Sequence, residues 1–267
     1  MTFYQSTLER MLTMGQLARS DRILIVGGGE LDRYVLSALG FSDVLITNLQ
    51  PHAGQSEYLP FSWRRADMEN LDLPDSSFDW VVEHAALHHL ESPHKGLLEM
   101  ARVAKKGVIA FEARDSVLMR LAVRVGLSSS FELEPAFLSR GTAFGIRDST
   151  VPNYVYRWTE REIEKAIQQR YPAYRHRFQY FYAVNIPIER FRMRRNPILR
   201  WVGAALFWLV PFISFILGKQ GNAFGFAVQK NTALQPWIVA DESGALVPEV
   251  SYLERRYDRD AYRKRSK

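Results

Sequence analysis

The chain has 267 residues and no cysteine, which excludes disulfides, thiolate metal sites and cysteine nucleophiles. Apolar residues make up 47% and charged residues 24%, an ordinary globular balance with length for one large domain or a domain carrying an insertion. The formal charge of +6 is uneven, with arginines gathered at Arg190–Arg200 and again at Arg255–Lys267. Such clusters suit membrane phosphates, nucleic acid or an anionic substrate, and equally a solvated basic surface with a frayed tail.

The first twenty residues mix polar and apolar positions without a continuous hydrophobic segment, so no signal peptide is read and a cytoplasmic location is expected. Leu8, Met11, Leu12, Met14 and Leu17 predict an amphipathic helix over 5–18. Arg22 to Val26 reads as the first strand, broken at once by Gly27, Gly28 and Gly29; Glu30 to Leu39 then reads as a helix closed by Gly40. A strand, a glycine turn and a helix in succession build a nucleotide site. Bare backbone admits a ligand closely, and the helix start points N–H groups at it. The spacing is not that of a dinucleotide fingerprint, because Leu31 and Asp32 stand where further glycines would fall.

Further strands are expected at Asp43–Thr47, Trp63–Ala66, Ser77–Glu83 and Gly107–Phe111, with a helix opened by Ser92-Pro93 and running to about Ala104. Repeated β-α units predict a doubly wound, mostly parallel seven-stranded α/β sheet with helices on both faces. Ligands of such sheets bind outside the carboxyl ends of the strands. After residue 115 the rhythm stops. A helix at 115–126 is followed by an aromatic-rich irregular stretch to Tyr156, read as a lid. Thr159 and Glu162 form a capping-box pattern for the next helix, and Tyr174–Val184 and Asn222–Val228 read as the last two strands.

Between them, Ile198–Gly218 is apolar save for Arg200. It reads as a buried helical hairpin bent at Pro211 or as a patch dipping into a membrane interface. A single crossing conflicts with the return of the next strand to the sheet. The expected organisation is an N-terminal helix at 1–20, a cofactor-binding core at 21–127 and a lid with its helix at 128–173. The last two strands follow at 174–230 with the insertion at 198–218, and a basic tail occupies 231–267.

Three blocks, VGGGELDRYVL, ADMENLDLPDSSFDWVVEHAALHHL and ESPHKGLLEMARVAKKGVIAFEAR, resemble the class I S-adenosylmethionine-dependent methyltransferases of the small-molecule type, over roughly residues 20–114. The resemblance implies S-adenosylmethionine as cofactor. Gly27 and Gly29, with Gly28 between them, match the turn whose backbone approaches the methionine part. Asp67 matches the carboxylate that accepts from the adenine amino group, and Met68 lies against the ring. Glu83 and His84 match the place near the methyl donor. Asn48 stands where the family commonly has an acid on the ribose hydroxyls; it hydrogen-bonds there without the charge. Ile25 and Leu31 also depart from the family pattern.

A hydroxyl or amine acceptor must lose a proton, and His84 is the expected base. His88 and His89 are read as structural, and no metal is expected, because the local spacing gives no ligand set. Tyr154, Tyr156 and Trp158 line an acceptor pocket or a satellite core. Arg140 and Arg147 bind an anionic acceptor or lie on the surface. The expected reaction moves a methyl group to an oxygen or nitrogen of a small-molecule, glycan or lipid-linked acceptor, with peripheral membrane contact through 190–218. The alternative is a non-catalytic scaffold of the same fold with a weakened cofactor site. No nucleic-acid partner is expected, because strand four carries no N-P-P-Y-like motif.

Overall fold

The computed structural model describes residues 2–50, 58–138, 145–185, 195–198, 200–202, 204, 205, 208, 209, 212 and 218–258. Seven strands form one sheet: β1 (Ile23–Val26), β2 (Val44–Asn48), β3 (Ser62–Arg65), β4 (Phe78–His84), β5 (Ala104–Ala113), β6 (Arg177–Ala183) and β7 (Ala223–Gln229). Their order is β3-β2-β1-β4-β5-β7-β6. The first five run parallel; β7 lies antiparallel between β5 and β6. The order reverses at β1, which pairs with both β2 and β4, so a ligand crevice is expected above the carboxyl end of that pair.

Every residue of β1 is buried, as its unbroken apolar run requires of a strand covered on both faces. One face carries α3 (Pro93–Val103) and α6 (Glu160–Arg170), between which the chain forms α4 (Val117–Arg124) and α5 (Leu133–Leu138), over a core containing Leu97, Met100, Trp158, Ile163 and Phe226. The other carries α1 (Phe3–Thr13) and α2 (Glu30–Leu39) through Tyr4, Leu8, Val35 and Leu36. The helix ends follow their local signals. Ser92 caps α3 with Pro93 at its first turn, Thr159 and Glu162 close the predicted capping box on α6, and Gly40 ends α2 at φ 81°.

Three expectations change. The first helix begins at Phe3 and ends at Thr13, because Thr2 caps it and the chain turns at Gly15 with φ 67°. β5 extends beyond the apolar run on both sides, held by β4 at Ala104 and by β7 as far as Ala113. The stretch read as a basic tail contains a hairpin, β8 (Ile238–Ala240) with β9 (Leu246–Pro248), and a short helix α7 (Val250–Glu254). Asp241 closes that hairpin by accepting from the amides of Ser243 and Ala245, with Gly244 at φ 83°.

Ala223 faces Ala113 on one side and Ala183 on the other. The insertion between β6 and β7 therefore leaves and returns at the same carboxyl rim as the glycine turn. Its described residues from 197 to 212 are helical, while Ile198, Trp201, Trp208 and Phe212 are exposed rather than buried. The bend expected at Pro211 lies outside the described residues. Among the described residues no helix is long and apolar enough to cross a membrane.

Candidate active site

The glycine turn sits where packing leaves no room for side chains. Gly27 has φ 65°, and a Cβ there would lie 2.4 Å from Ala86 Cβ and 3.2 Å from Met68 Cε. A Cβ on Gly28 would lie 2.4 Å from Ile25 Cγ2. Gly29 is different: no atom stands within 4 Å of the place a Cβ would take, so its outer face is open. Its amide donates to buried Asp32 at 2.8 Å, which fixes the start of α2.

A cavity of about 240 Å³ opens above this turn, bordered by Gly27, Asn48, Asp67, Met68, His89 and Arg147. Asn48 reaches the cavity, but its side-chain amide donates to Gly28 O at 3.0 Å and its Oδ1 accepts from the Gln50 amide at 3.3 Å. It thus pins the glycine turn to the end of β2. Asp67 follows β3. Its Oδ1 accepts from the Glu69 amide at 2.9 Å and its Oδ2 from Arg147 at 2.8 Å. Burial alone would raise its pKa; the Glu69 amide and the Arg147 guanidinium outweigh that and hold it below the usual carboxylate value.

Arg147 belongs to the lid and was legible only as a loop arginine. It also donates to buried Glu69 at 2.9 Å. Glu69 in turn accepts from the amides of Ser92 and Glu91 at 2.9 and 3.3 Å, so one carboxylate joins the lid, the loop after β3 and the start of α3. The lid turn holds Arg147 at φ 48° and Asp148 at φ 61°, a strained conformation for two adjacent residues with side chains. Asp148 also hydrogen-bonds Gln50. The lid therefore closes over the carboxylate that the sequence singled out.

Glu83 and His84 stand elsewhere. Alternation along β4 sends their side chains to opposite faces. Glu83 is fully buried and accepts from the amides of Ala86 and Phe111, each at 2.9 Å. Burial, and then the nearby Glu112 carboxylate, push its pKa well above the usual range. It braces the turn in which Ala85 takes φ 56°. His84, the expected base, does not border the cavity. Its ring stacks on Tyr4 with centroids 4.8 Å apart, and burial keeps its pKa low despite Asp32 and Glu112. It belongs to the packing of α1 on the sheet.

The next two histidines, read as structural, lie beside two carboxylates. They lie in a short 3₁₀ helix, Leu87–His89. His88 Nδ1 lies 2.7 Å from Glu112 Oε2, and its amide donates to Glu112 Oε1 at 3.3 Å. Glu132 of the lid stands 3.7 Å from the Nε2 atoms of both His88 and His89. Of the aromatics, Trp158 is fully buried core and Tyr156 donates to Glu162 at 2.9 Å. Tyr154 is exposed and borders, with Met119, Val123 and Arg157, a second cavity of about 350 Å³. Arg140 lies outside the described residues.

Comparison with known proteins bears on the domain. A methyltransferase domain model matches residues 29–111. A phosphatidylethanolamine N-methyltransferase of Cereibacter sphaeroides is 28% identical over 137 residues, covering 44% of this chain and 68% of that protein. An uncharacterized methyltransferase of Mycobacterium tuberculosis is 38% identical over 48 residues, which span 18% of this chain and 24% of its own. Among solved structures, BH2331 of Bacillus halodurans, whose name places it among the methyltransferases, superposes with a TM-score of 0.51. It is 14% identical and covers 85% of this chain and 99% of its own. The chain carries a class I S-adenosylmethionine-dependent methyltransferase domain and is an enzyme of that class. The methyl donor of the family is S-adenosylmethionine.

The residues present fit that cofactor. The bare backbone of Gly27, a buried thioether at Met68 and a carboxylate at Asp67 meet around one cavity. Its volume is small for a ligand site, and the lid residues Arg147 and Asp148 line part of it.

Proposed function

We propose that the chain methylates an oxygen or nitrogen of an amphiphilic, lipid-linked acceptor, and that Gly27, Gly29, Asp67 and Met68 hold the donor while Asn48 keeps the glycine turn in place. The observation that supports the donor site is the meeting of Gly27 and Asp67 on one cavity. S-adenosylmethionine supplies a methyl group on a cationic sulfur, open to in-line attack by a lone pair. The protein's part is then position and exclusion of water. Asp67 offers a carboxylate acceptor for an amino group once Arg147 lets go of it, and Met68 offers an apolar, polarisable face for a flat ring.

The acceptor class is supported by what surrounds the rim. On α4 (Val117–Arg124) and its cap, Val117, Leu121 and Val125 recur every fourth residue and are 65%, 54% and 56% exposed. Ser116, which caps α4, donates to Gln220 O at 3.0 Å, so this stripe adjoins the end of the apolar insertion. Exposed apolar stripes beside arginines suit an interfacial surface. The similarity to a phosphatidylethanolamine N-methyltransferase points the same way.

The test has two arms. Calorimetric titration with S-adenosylhomocysteine should show saturable binding that Asp67→Ala weakens by about tenfold or more, the loss of a hydrogen bond to a charged group; absence of binding by the wild type would overturn the donor site. Methyl-tritium transfer should reach phosphatidylethanolamine or another amino- or hydroxyl-headed amphiphile in vesicles, and not the free headgroup. Transfer to the free headgroup alone would overturn the lipid-linked acceptor.

A further inference from the structure

His88, His89 and Glu132 bring three electron-pair donors together. One ring nitrogen from each histidine and one Glu132 oxygen all lie within 4.8 Å of one another. The approaches of His88 Nε2 to Glu132 Oε1 and of His89 Nε2 to Glu132 Oε2, both 3.7 Å, are too long for hydrogen bonds. They are close to the separation of about 3.4 Å between two donors on one tetrahedral ion with bonds near 2.05 Å. The imidazoles are held side by side, with ring centroids 4.4 Å apart.

The surroundings orient the donors. Glu112, 5% exposed, takes the Nδ1 side of His88 at 2.7 Å. That contact turns the Nε2 lone pair toward Glu132, the carboxylate–histidine–metal arrangement by which proteins fix the tautomer of a ligand. Glu132 is fixed through its own amide, which donates to Asn153 O at 3.1 Å, while Asn153 donates to His88 O at 3.2 Å. His89 also borders the donor cavity.

We propose that His88, His89 and Glu132 bind one divalent transition-metal ion of the zinc type at the edge of that cavity, with Glu112 as the positioning carboxylate behind His88. Two imidazole nitrogens and one carboxylate oxygen are a donor set of intermediate softness that suits zinc and its neighbours rather than calcium or magnesium. Three protein donors leave a coordination position for water or an acceptor oxygen, and an ion there lowers the pKa of whatever oxygen it binds. Activation of an acceptor hydroxyl in this way rests on the proposed methyl transfer; metal binding does not.

The experiment uses the whole chain, stripped with EDTA and titrated with Co(II) in the absence of donor and acceptor. Visible d–d absorption should saturate at about one ion per chain and be displaced by Zn(II), and Zn(II) should raise the melting temperature. His89→Gln and Glu132→Gln, at positions that are neither fully buried nor fully exposed, should each weaken binding by about tenfold or more. Glu112→Gln, which leaves all three donors in place, should weaken it by about 10–100-fold. Exposed Glu91→Gln should leave it unchanged. Absence of saturable Co(II) absorption, or unchanged affinity in both His89→Gln and Glu132→Gln, would overturn the site whether or not the chain transfers methyl groups.

Discussion

Arg102 holds the loop that presents Asp67. It donates to Leu71 O and Leu73 O, each at 2.8 Å, to Asp75 at 2.7 Å and to Glu99 at 2.8 and 2.9 Å. Glu99 returns the contact by accepting from the Leu71 amide at 3.1 Å. Two carbonyls and one amide of an irregular loop are thus satisfied by two side chains of α3. Arg102→Ala should cost about 2–3 kcal/mol in urea unfolding, because several charge-assisted bonds go together. Arg102→Lys should recover only part, since an ammonium cannot fork to two carbonyls. At Gly27 the penalty is steric. Gly27→Ala places a methyl group 2.4 Å from Ala86 at φ 65°. It should cost about 1–3 kcal/mol and abolish S-adenosylhomocysteine binding in calorimetry.

At the scale of an element, the lid turn at 145–148 decides access. Its contact with Asp67 has a pH dependence whose sign follows from the lowered carboxyl pKa. A carboxylate depressed on folding stabilises the folded form above its unfolded value and loses that contribution as pH falls through the folded one. The lid should therefore stay closed across the neutral range and open below about pH 4, the ordinary aspartate value. Hydrogen exchange at 145–151 should quicken in acid for the wild type and already at neutral pH for Arg147→Gln. The same variant should bind S-adenosylhomocysteine faster in stopped flow, because the ion pair no longer occupies Asp67. An unchanged association rate would show that the lid contact does not gate the cavity.

At the scale of the molecule, the apolar stripe on α4 and the insertion share the carboxyl rim with the donor cavity. Flotation with vesicles containing anionic lipid should capture the protein, and Leu121→Glu with Val125→Glu should reduce capture severalfold without changing cofactor affinity. Equal flotation of the double variant would remove α4 from the docking surface. The class of sheet was legible because each β-α unit announces itself locally: the buried run Ile23–Val26, the Ser92-Pro93 start, the Thr159–Glu162 box. Gly27 and Asp67, which border one cavity, were legible as candidates for the same reason, since each follows a strand of the parallel sheet. The place of His84 was not legible, because the face it shares with Trp80 and Val82 is covered by α1, and only packing brings Tyr4 of that helix against its ring.

The sequence by itself determined the class of sheet and the glycine turn, and singled out the carboxyl rim and Asp67 as candidates. These follow from periodicity and turn chemistry within short stretches, where the cause and its effect lie a few residues apart. Only the tertiary structure decided that Arg147 covers Asp67, 80 residues away. It also decided that Glu132 reaches His88 and His89, and that Glu112 stands behind His88. Those contacts join β5, the loop after β4 and the lid. Nothing in a one-dimensional pattern fixes the approach of two charged side chains whose backbones are brought together by packing elsewhere.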